Sequence, residues 1–298
     1  MRYNHRMGQI DDLLRVSPSE STPVLLELAV RQAARRRPAD VLAQFTKDAY
    51  VAFAALDQRT LHRLDGLALA AAEEFEAVQL SPVAPLGVCS TIAPTSQNRV
   101  LPAARGTEVV SDPTNVMALE CARRLKAEPS TPVRLTTIHQ TLRAQPFPPN
   151  QGYSRHFRLF AMVEAGLGRA EDAFEVEAIV RHLQVFDRLF DGAVASFGAR
   201  FPMRRAILRA TEAKAVLRTR AKAALAQAMP QLELLEEPLN APYYDGLRVA
   251  FGAETKSGDF CPIGDLGLFD WMQKLTSNRR QRFVASGFGL QLIPVLFA

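Results

Sequence analysis

The sequence predicts an α+β fold, an antiparallel β-sheet flanked by helices and preceded by a helical N-terminal extension. Three observations carry that prediction. Residues 133–145 and 155–164 read as two strands around PFPPNQGYS, a run of turn-forming residues. Strand-like segments return later as YYDGLRVAF and RFVASGFGL, separated by the helical LFDWMQKLT. Strands adjacent in sequence and mixed with helices favour hairpin-linked, antiparallel pairing.

Taken in order, residues 1–22 are polar, end in SPSESTP and read as a loose leader. From Val24 to Ala34 apolar residues recur at helical spacing; Arg35, Arg36 and Arg37 complement the helix dipole, and Pro38 stops the helix. A second helical stretch runs from about Ala39 to Leu56. A third opens at Asp57, a plausible N-cap, and continues through LALAAAEEF. The strand-like EAVQLSPV and a Pro/Ser/Thr-rich segment to about Asn98 follow. After the hairpin, Val176, Ile179, Val180, Leu183, Phe186, Leu189 and Phe190 mark the buried face of a helix over about 171–193. A further helix is expected over about Arg205–Met229, stopped by Pro230. No internal repeat is apparent. The organisation expected is an extension over 1–56 and a core over 57–298.

The 298 residues are 48% hydrophobic, enough to bury one large core. No run approaches the roughly 20 apolar residues of a membrane span, and MRYNHRMGQIDD lacks the apolar region of a secretory signal. A cytoplasmic protein is therefore expected. Cys89, Cys121 and Cys261 are scattered and form no C-x-x-C, which argues against a disulfide framework or zinc knuckle. No metal-ligand cluster, P-loop or Ser/His/Asp signature stands out. A net charge of +5 suits an anionic ligand such as a nucleotide without demanding one.

The hairpin carries the most chemistry. In the second strand Phe157, Leu159, Ala161 and Val163 share one face, while His156, Arg158, Phe160 and Glu164 share the other. The first reads as a core face. The second mixes cations, an aromatic and an acid, which reads as functional. On the partner strand His139, Thr141, Arg143 and Gln145 share a face.

These residues resemble the second motif of class II aminoacyl-tRNA synthetases, in which F-R-x-E, a loop, and then H or R, three residues and phenylalanine surround ATP. The matching run is Leu142-Arg143-Ala144-Gln145, the loop 146–155, then His156 to Phe160. Other segments are similar to the histidyl branch, in order. Ser111-Asp112-Pro113-Thr114 through Arg123 resembles the segment holding the substrate amino group. Pro242-Tyr243-Tyr244-Asp245-Gly246 resembles the tyrosine-pair signature. Asp270-Trp271 and Ser286-Gly287-Phe288-Gly289-Leu290 resemble the approach to the third motif, and EEFEAVQLSPV the first, dimer-forming motif.

The resemblance covers roughly residues 57–298. It implies that Arg143 contacts the α-phosphate of ATP and His156 the γ-phosphate, while Phe160 and Gln145 hold adenine. Asp112, Thr114, Glu164, Tyr243 and Tyr244 would shape the pocket for a small carboxylic or amino acid. ATP and Mg2+ would be required only by a catalytically active chain. A homodimer would form through the first motif.

The departures narrow the reading. Gln145 replaces the motif glutamate, and Leu290-Gln291-Leu292-Ile293-Pro294 lacks the third-motif arginine, for which Arg158 is a possible substitute. The arginine before the tyrosine pair is replaced by Leu239-Asn240-Ala241-Pro242, and no anticodon-binding segment follows the third motif in the sequence. The expectation is an ATP-dependent ligase forming an acyl-adenylate for amide or thioester synthesis, with tRNA charging not expected. The alternative is a non-catalytic regulatory subunit, like that of short-form ATP phosphoribosyltransferase, which senses an amino acid and works with a partner enzyme. A weaker reading assigns RNA binding to the basic stripe Lys214, Arg218, Lys222.

Overall fold

Asp57 caps the helix Gln58–Ala71 by accepting from the Arg59 amide, and Leu61, Leu64, Ala68 and Ala71 form its buried stripe. That stripe packs on the helix Ala173–Phe197, whose buried residues include Ala178, Ile179, Leu183, Phe186, Leu189, Phe190 and Ala193. Both helices lie on one face of the sheet in this computed structural model, which describes residues 10–54, 56–145 and 154–298.

The sheet has eight strands in the order β1-β5-β6-β11-β10-β9-β7-β8. These are β1 (Glu76–Ala77), β5 (Val133–Leu142), β6 (His156–Leu167), β7 (Arg205–Ala210), β8 (Glu233–Pro238), β9 (Leu247–Glu254), β10 (Phe260–Leu268) and β11 (Gln281–Gly289). The central pairings are antiparallel, as expected from the sequence; the edge pairs β1–β5 and β7–β8 are parallel, so the sheet is mixed. A small second sheet, β2 (Val83–Pro85), β4 (Thr107–Val109) and β3 (Pro102–Ala103), stands beside it.

Two hydrophobic clusters cover the two faces of the main sheet. On one, Phe160, Met162, Val284 and Phe288 meet the helices Gln58–Ala71 and Ala173–Phe197. On the other, Leu135, Ala161, Val163, Phe283 and Ala285 meet the helix Pro113–Ala127 and the short helix Trp271–Thr276. Fully burying a Val, Leu, Met or Phe side chain contributes roughly 1.5–3 kcal/mol.

Several sequence expectations shift. Residues 18–34 form one helix with Ser17 and Glu20 as a capping box, so helix replaces the expected leader over 18–22. The second helix stops at Lys47, and neither it nor the first buries a residue. The helix expected over Arg205–Met229 is a strand, β7, followed by a helix at Ala215–Ala228. Ala206 and Leu208 alternate with the partly exposed Arg205 and Arg209, a period of two hidden by good helix formers. Strand β10 was not anticipated, because Pro262, Gly264 and Gly267 interrupt its apolar pattern. The basic stripe is not a free cationic face: Arg218 and Lys222 both pair with Glu236, at 2.8 and 2.5 Å.

Candidate functional site

Register decides which side chains meet. In the β5–β6 ladder Thr141 lies opposite Phe157, His139 opposite Leu159 and Leu142 opposite His156, and the Arg143 amide donates to the Arg155 carbonyl. Residues directly opposite share a face. Arg143 therefore lies with Phe157 and Leu159, and its guanidinium carbon is 5.2 Å from the Phe157 ring centre.

This reverses the expected faces. Phe160 is fully buried between the sheet and the long helix, against Phe186, rather than beside Arg143. Glu164 also lies on the helix side, 2% exposed. There it accepts from Arg181 at 2.8 Å and Arg134 at 3.1 Å, and stands 3.5 Å from His182 Nε2. Burial alone would raise its pKa, but His182 and Arg181 hold it down to about 2. Arg158 is on the same side, bound to Asp65 at 2.7 Å, so it does not stand in for a third-motif arginine. His156 contacts the Gln140 side chain through Nδ1 at 2.8 Å and the Ala52 carbonyl through Nε2 at 2.6 Å. Alternation separated the faces correctly, and Leu159, Ala161 and Val163 are buried as read; the error lies at the Arg143 end, where Phe157 and not Phe160 shares the Arg143 face, and the pairing of Arg143 with Arg155 is the signal that corrects it.

The Arg143 face carries a cavity of about 280 Å³, continuous in its lining with a second of about 200 Å³; Asp112, Arg143, Tyr243, Tyr244 and Asp265 line both. Asp112 caps the helix Pro113–Ala127, its Oδ1 accepting from the Thr114 amide at 3.0 Å and the Thr114 hydroxyl at 2.7 Å. Its Oδ2 lies 3.7 Å from an Arg143 guanidinium nitrogen, while Arg143 Nε donates to the Ser111 carbonyl at 2.8 Å. The loop before the third-motif-like region brings in the tyrosines. Tyr244 donates to Asp265 at 2.6 Å, and Arg248 holds the other oxygen of Asp265 at 2.8 Å. Tyr244 lies against Gly267, where an added Cβ would come within 2.2 Å of its ring. Glycine at that position is what lets the ring lie on the strand. Burial, with Asp112 nearby, raises the Tyr243 pKa, and burial with Asp265 raises that of Tyr244; both stay neutral phenols at physiological pH.

Gln145 lines neither cavity; its side-chain oxygen accepts from Arg99, which lines the 280 Å³ cavity, and its carbonyl from Arg155. The expected loop 146–155 lies outside the described residues except for Ser154 and Arg155. Of the expected residues, Arg143, Asp112, Thr114, Tyr243 and Tyr244 meet at one cavity with Gln145 beside it; His156, Arg158, Phe160 and Glu164 do not join them. Residues not anticipated are Phe157, Asn115, Asp265 and Arg248. Among the described residues no group of His, Cys, Asp and Glu has metal-binding geometry, and no helix is long and apolar enough to cross a membrane.

The mixed eight-stranded sheet flanked by helices matches the fold of class II aminoacyl-tRNA synthetase cores. No protein-family model matches the sequence, and no curated protein matches it. The chain is similar in structure to an ATP phosphoribosyltransferase regulatory subunit/histidyl-tRNA synthetase from Bacillus halodurans C, with TM-score 0.57 and 12% identity over 82% of each chain. It is likewise similar to apo histidyl-tRNA synthetase of S. aureus, with TM-score 0.61 and 10% identity over 83% of this chain and 68% of that one. A histidine–tRNA ligase subunit from Alicyclobacillus acidocaldarius gives TM-score 0.54 and 13% identity over 80% and 91%. At such identities the likeness establishes the fold.

Proposed function

We propose that the chain binds ATP and a small carboxylic or amino acid on the Arg143 face and activates the acid as an acyl-adenylate for amide or thioester formation. The observation that carries this reading is Arg143 itself. Its guanidinium is half-buried, has Phe157 beneath it and Asp112 beside it, and adjoins the cavity. A cation anchored in this way suits a phosphate or carboxylate oxygen. The residues present fit the inner part of a nucleotide: Phe157 offers an aromatic face to a base and Arg143 donors to the α-phosphate. Bound ATP would supply the electrophilic phosphorus and bring Mg2+ on its own phosphates. The chain's part is to orient the acid and to counter charge developing on phosphate oxygens.

A second reading is favoured by one specific observation. Where the third-motif arginine would stand, Gln291 precedes the short helix Leu292–Leu296 and its side-chain oxygen accepts from the Arg158 amide at 2.7 Å. This leaves the outer phosphates without that cation, as suits a regulatory subunit that senses an amino acid beside a partner enzyme. In either case we expect a homodimer built on the β1 edge of the sheet.

Calorimetric titration with ATP and Mg2+ separates the two. The ligase reading expects micromolar binding that Arg143→Ala weakens at least about tenfold, the loss of one charge-assisted contact. No heat with ATP sinks it and leaves the sensor reading, for which histidine is the titrant.

A further inference from the structure

Asn115 is the third residue of the helix Pro113–Ala127 and lines the 280 Å³ cavity. It is 1% exposed, and among the described residues neither its Oδ1 nor its Nδ2 has a hydrogen-bond partner. Buried side-chain amides are nearly always satisfied, because an unpaired one forfeits its bonds to water. An unused donor and acceptor in the wall of a binding cavity therefore point to a ligand that supplies both partners.

The neighbouring groups say where such a ligand would lie. Thr114 occupies Asp112 Oδ1 and leaves Oδ2 facing Arg143 at 3.7 Å. An ammonium at Asp112 Oδ2 and a carboxylate at Arg143 would hold an α-amino acid by its two charged ends. Asp112 and Asn115 start the same helix three positions apart, one turn, so both address the same cavity.

We propose that Asn115 is a specificity-determining residue and selects an amino acid whose side chain ends in a neutral carboxamide. Two amides pair reciprocally, Nδ2–H of Asn115 donating to the ligand's carbonyl and the ligand's amide N–H donating to Oδ1. An aliphatic side chain would leave Asn115 unpaired, and a charged one would meet a buried neutral dipole unable to compensate its desolvation. The inference rests on the amino-acid site proposed above and names the class of substrate.

The test is calorimetry of the full chain against L-glutamine, L-asparagine, L-leucine, L-glutamate and L-histidine, repeated with Asn115→Leu. The expected result is tighter binding of asparagine or glutamine than of the other three, by at least about tenfold, and loss of that preference in the variant. Melting temperature is read alongside. Leucine removes an unpaired buried amide, so N115L is expected to melt no lower than the parent; a lower melting temperature would mean that Asn115 serves the fold instead, and would overturn the proposal. Equal binding across the panel, no binding of any member, tighter binding of histidine, or an unchanged preference in N115L also overturns it. ATP titrated alone into the unmodified protein tests the ligase reading separately, so the two can fail independently.

Discussion

The two faces of the β5–β6 hairpin are made from the same strands and behave as different materials. On the helix side Phe160 and Met162 are fully buried among apolar neighbours, and the charged residues there are matched: Glu164 to Arg181 and Arg134, Arg158 to Asp65. On the other side Phe157 stays partly exposed, the Arg143 guanidinium donates to the Ser111 carbonyl, lies over Phe157 and stands 3.7 Å from Asp112, and the Asn115 amide has no hydrogen-bond partner among the described residues. Asp65 Oδ1 on the helix side also lacks a hydrogen-bond partner among the described residues, but it lines neither cavity; a face of paired charges away from the cavities serves the fold. A face that leaves bonding capacity unused at a cavity is the one with something to bind.

The sharpest test of this contrast exchanges the two phenylalanines. Phe160→Ala should lower the unfolding free energy by about 3–5 kcal/mol, the usual cost of emptying a fully buried aromatic site, while leaving the folded protein's affinity for ATP near the original. Phe157→Ala should do the reverse, costing less than about 1 kcal/mol in stability and weakening ATP roughly tenfold through the lost base stacking. Urea denaturation and calorimetry measure both. Reversed outcomes would mean that the nucleotide site has been assigned to the wrong face.

A smaller effect is expected at Glu164. Glu164→Gln keeps the shape but leaves the guanidinium of Arg181 facing a neutral amide, which should cost about 3 kcal/mol. The pH dependence has a definite sign. The folded pKa of about 2 lies below the ordinary glutamate value of 4.5, so the stabilisation is fully present above pH 4.5 and is lost as pH falls towards 2. In acid melts the parent should lose stability across that window more steeply than E164Q. Parallel curves would show that the pairing with Arg181 contributes nothing net.

How much of this was legible in the sequence depended on the distance over which the information is stored. The Asp57 cap, the helix over Ala173–Phe197 and the hairpin strands follow from short-range periodicity and capping chemistry, and they stand within a few residues of the bounds read from the sequence. Asp112 and Thr114 were legible only through the resemblance of the segment from Ser111 to Arg123, and the structure adds that Asp112 caps the helix there. Which face of β6 looks into the cavity was not visible, since alternation splits residues into two sets without labelling either. Only pairing across a loop fixes that, through Arg143 and Arg155. Strand β7 was misread for the opposite reason: Arg, Ala and Leu have helical propensity, and the sheet overrode it with β8 and β9 on either side. Asn115 carried no sequence signal, because an unpaired amide is a property of its surroundings.

Arg158 and Phe157 are neighbours in the chain, and they offer the finest version of the same test. If the helix side is structural throughout, Arg158→Ala removes only the contact with Asp65. The cost should be about 1 kcal/mol, as for a partly exposed ion pair. The loss should grow with pH, and the parent already carries the same dependence in weaker form. Burial already raises the Asp65 pKa against the pull of Arg158, so without Arg158 the carboxyl would move higher still. A carboxyl whose folded pKa exceeds its unfolded value withdraws stability as pH rises through that interval. R158A should therefore match the parent at low pH and fall behind as Asp65 ionises. ATP binding should not change at any pH. A loss of nucleotide affinity in R158A comparable to that in Phe157→Ala would bring Arg158 back as a phosphate ligand and require the strand to present both faces to one ligand, which the register of β5 on β6 does not allow.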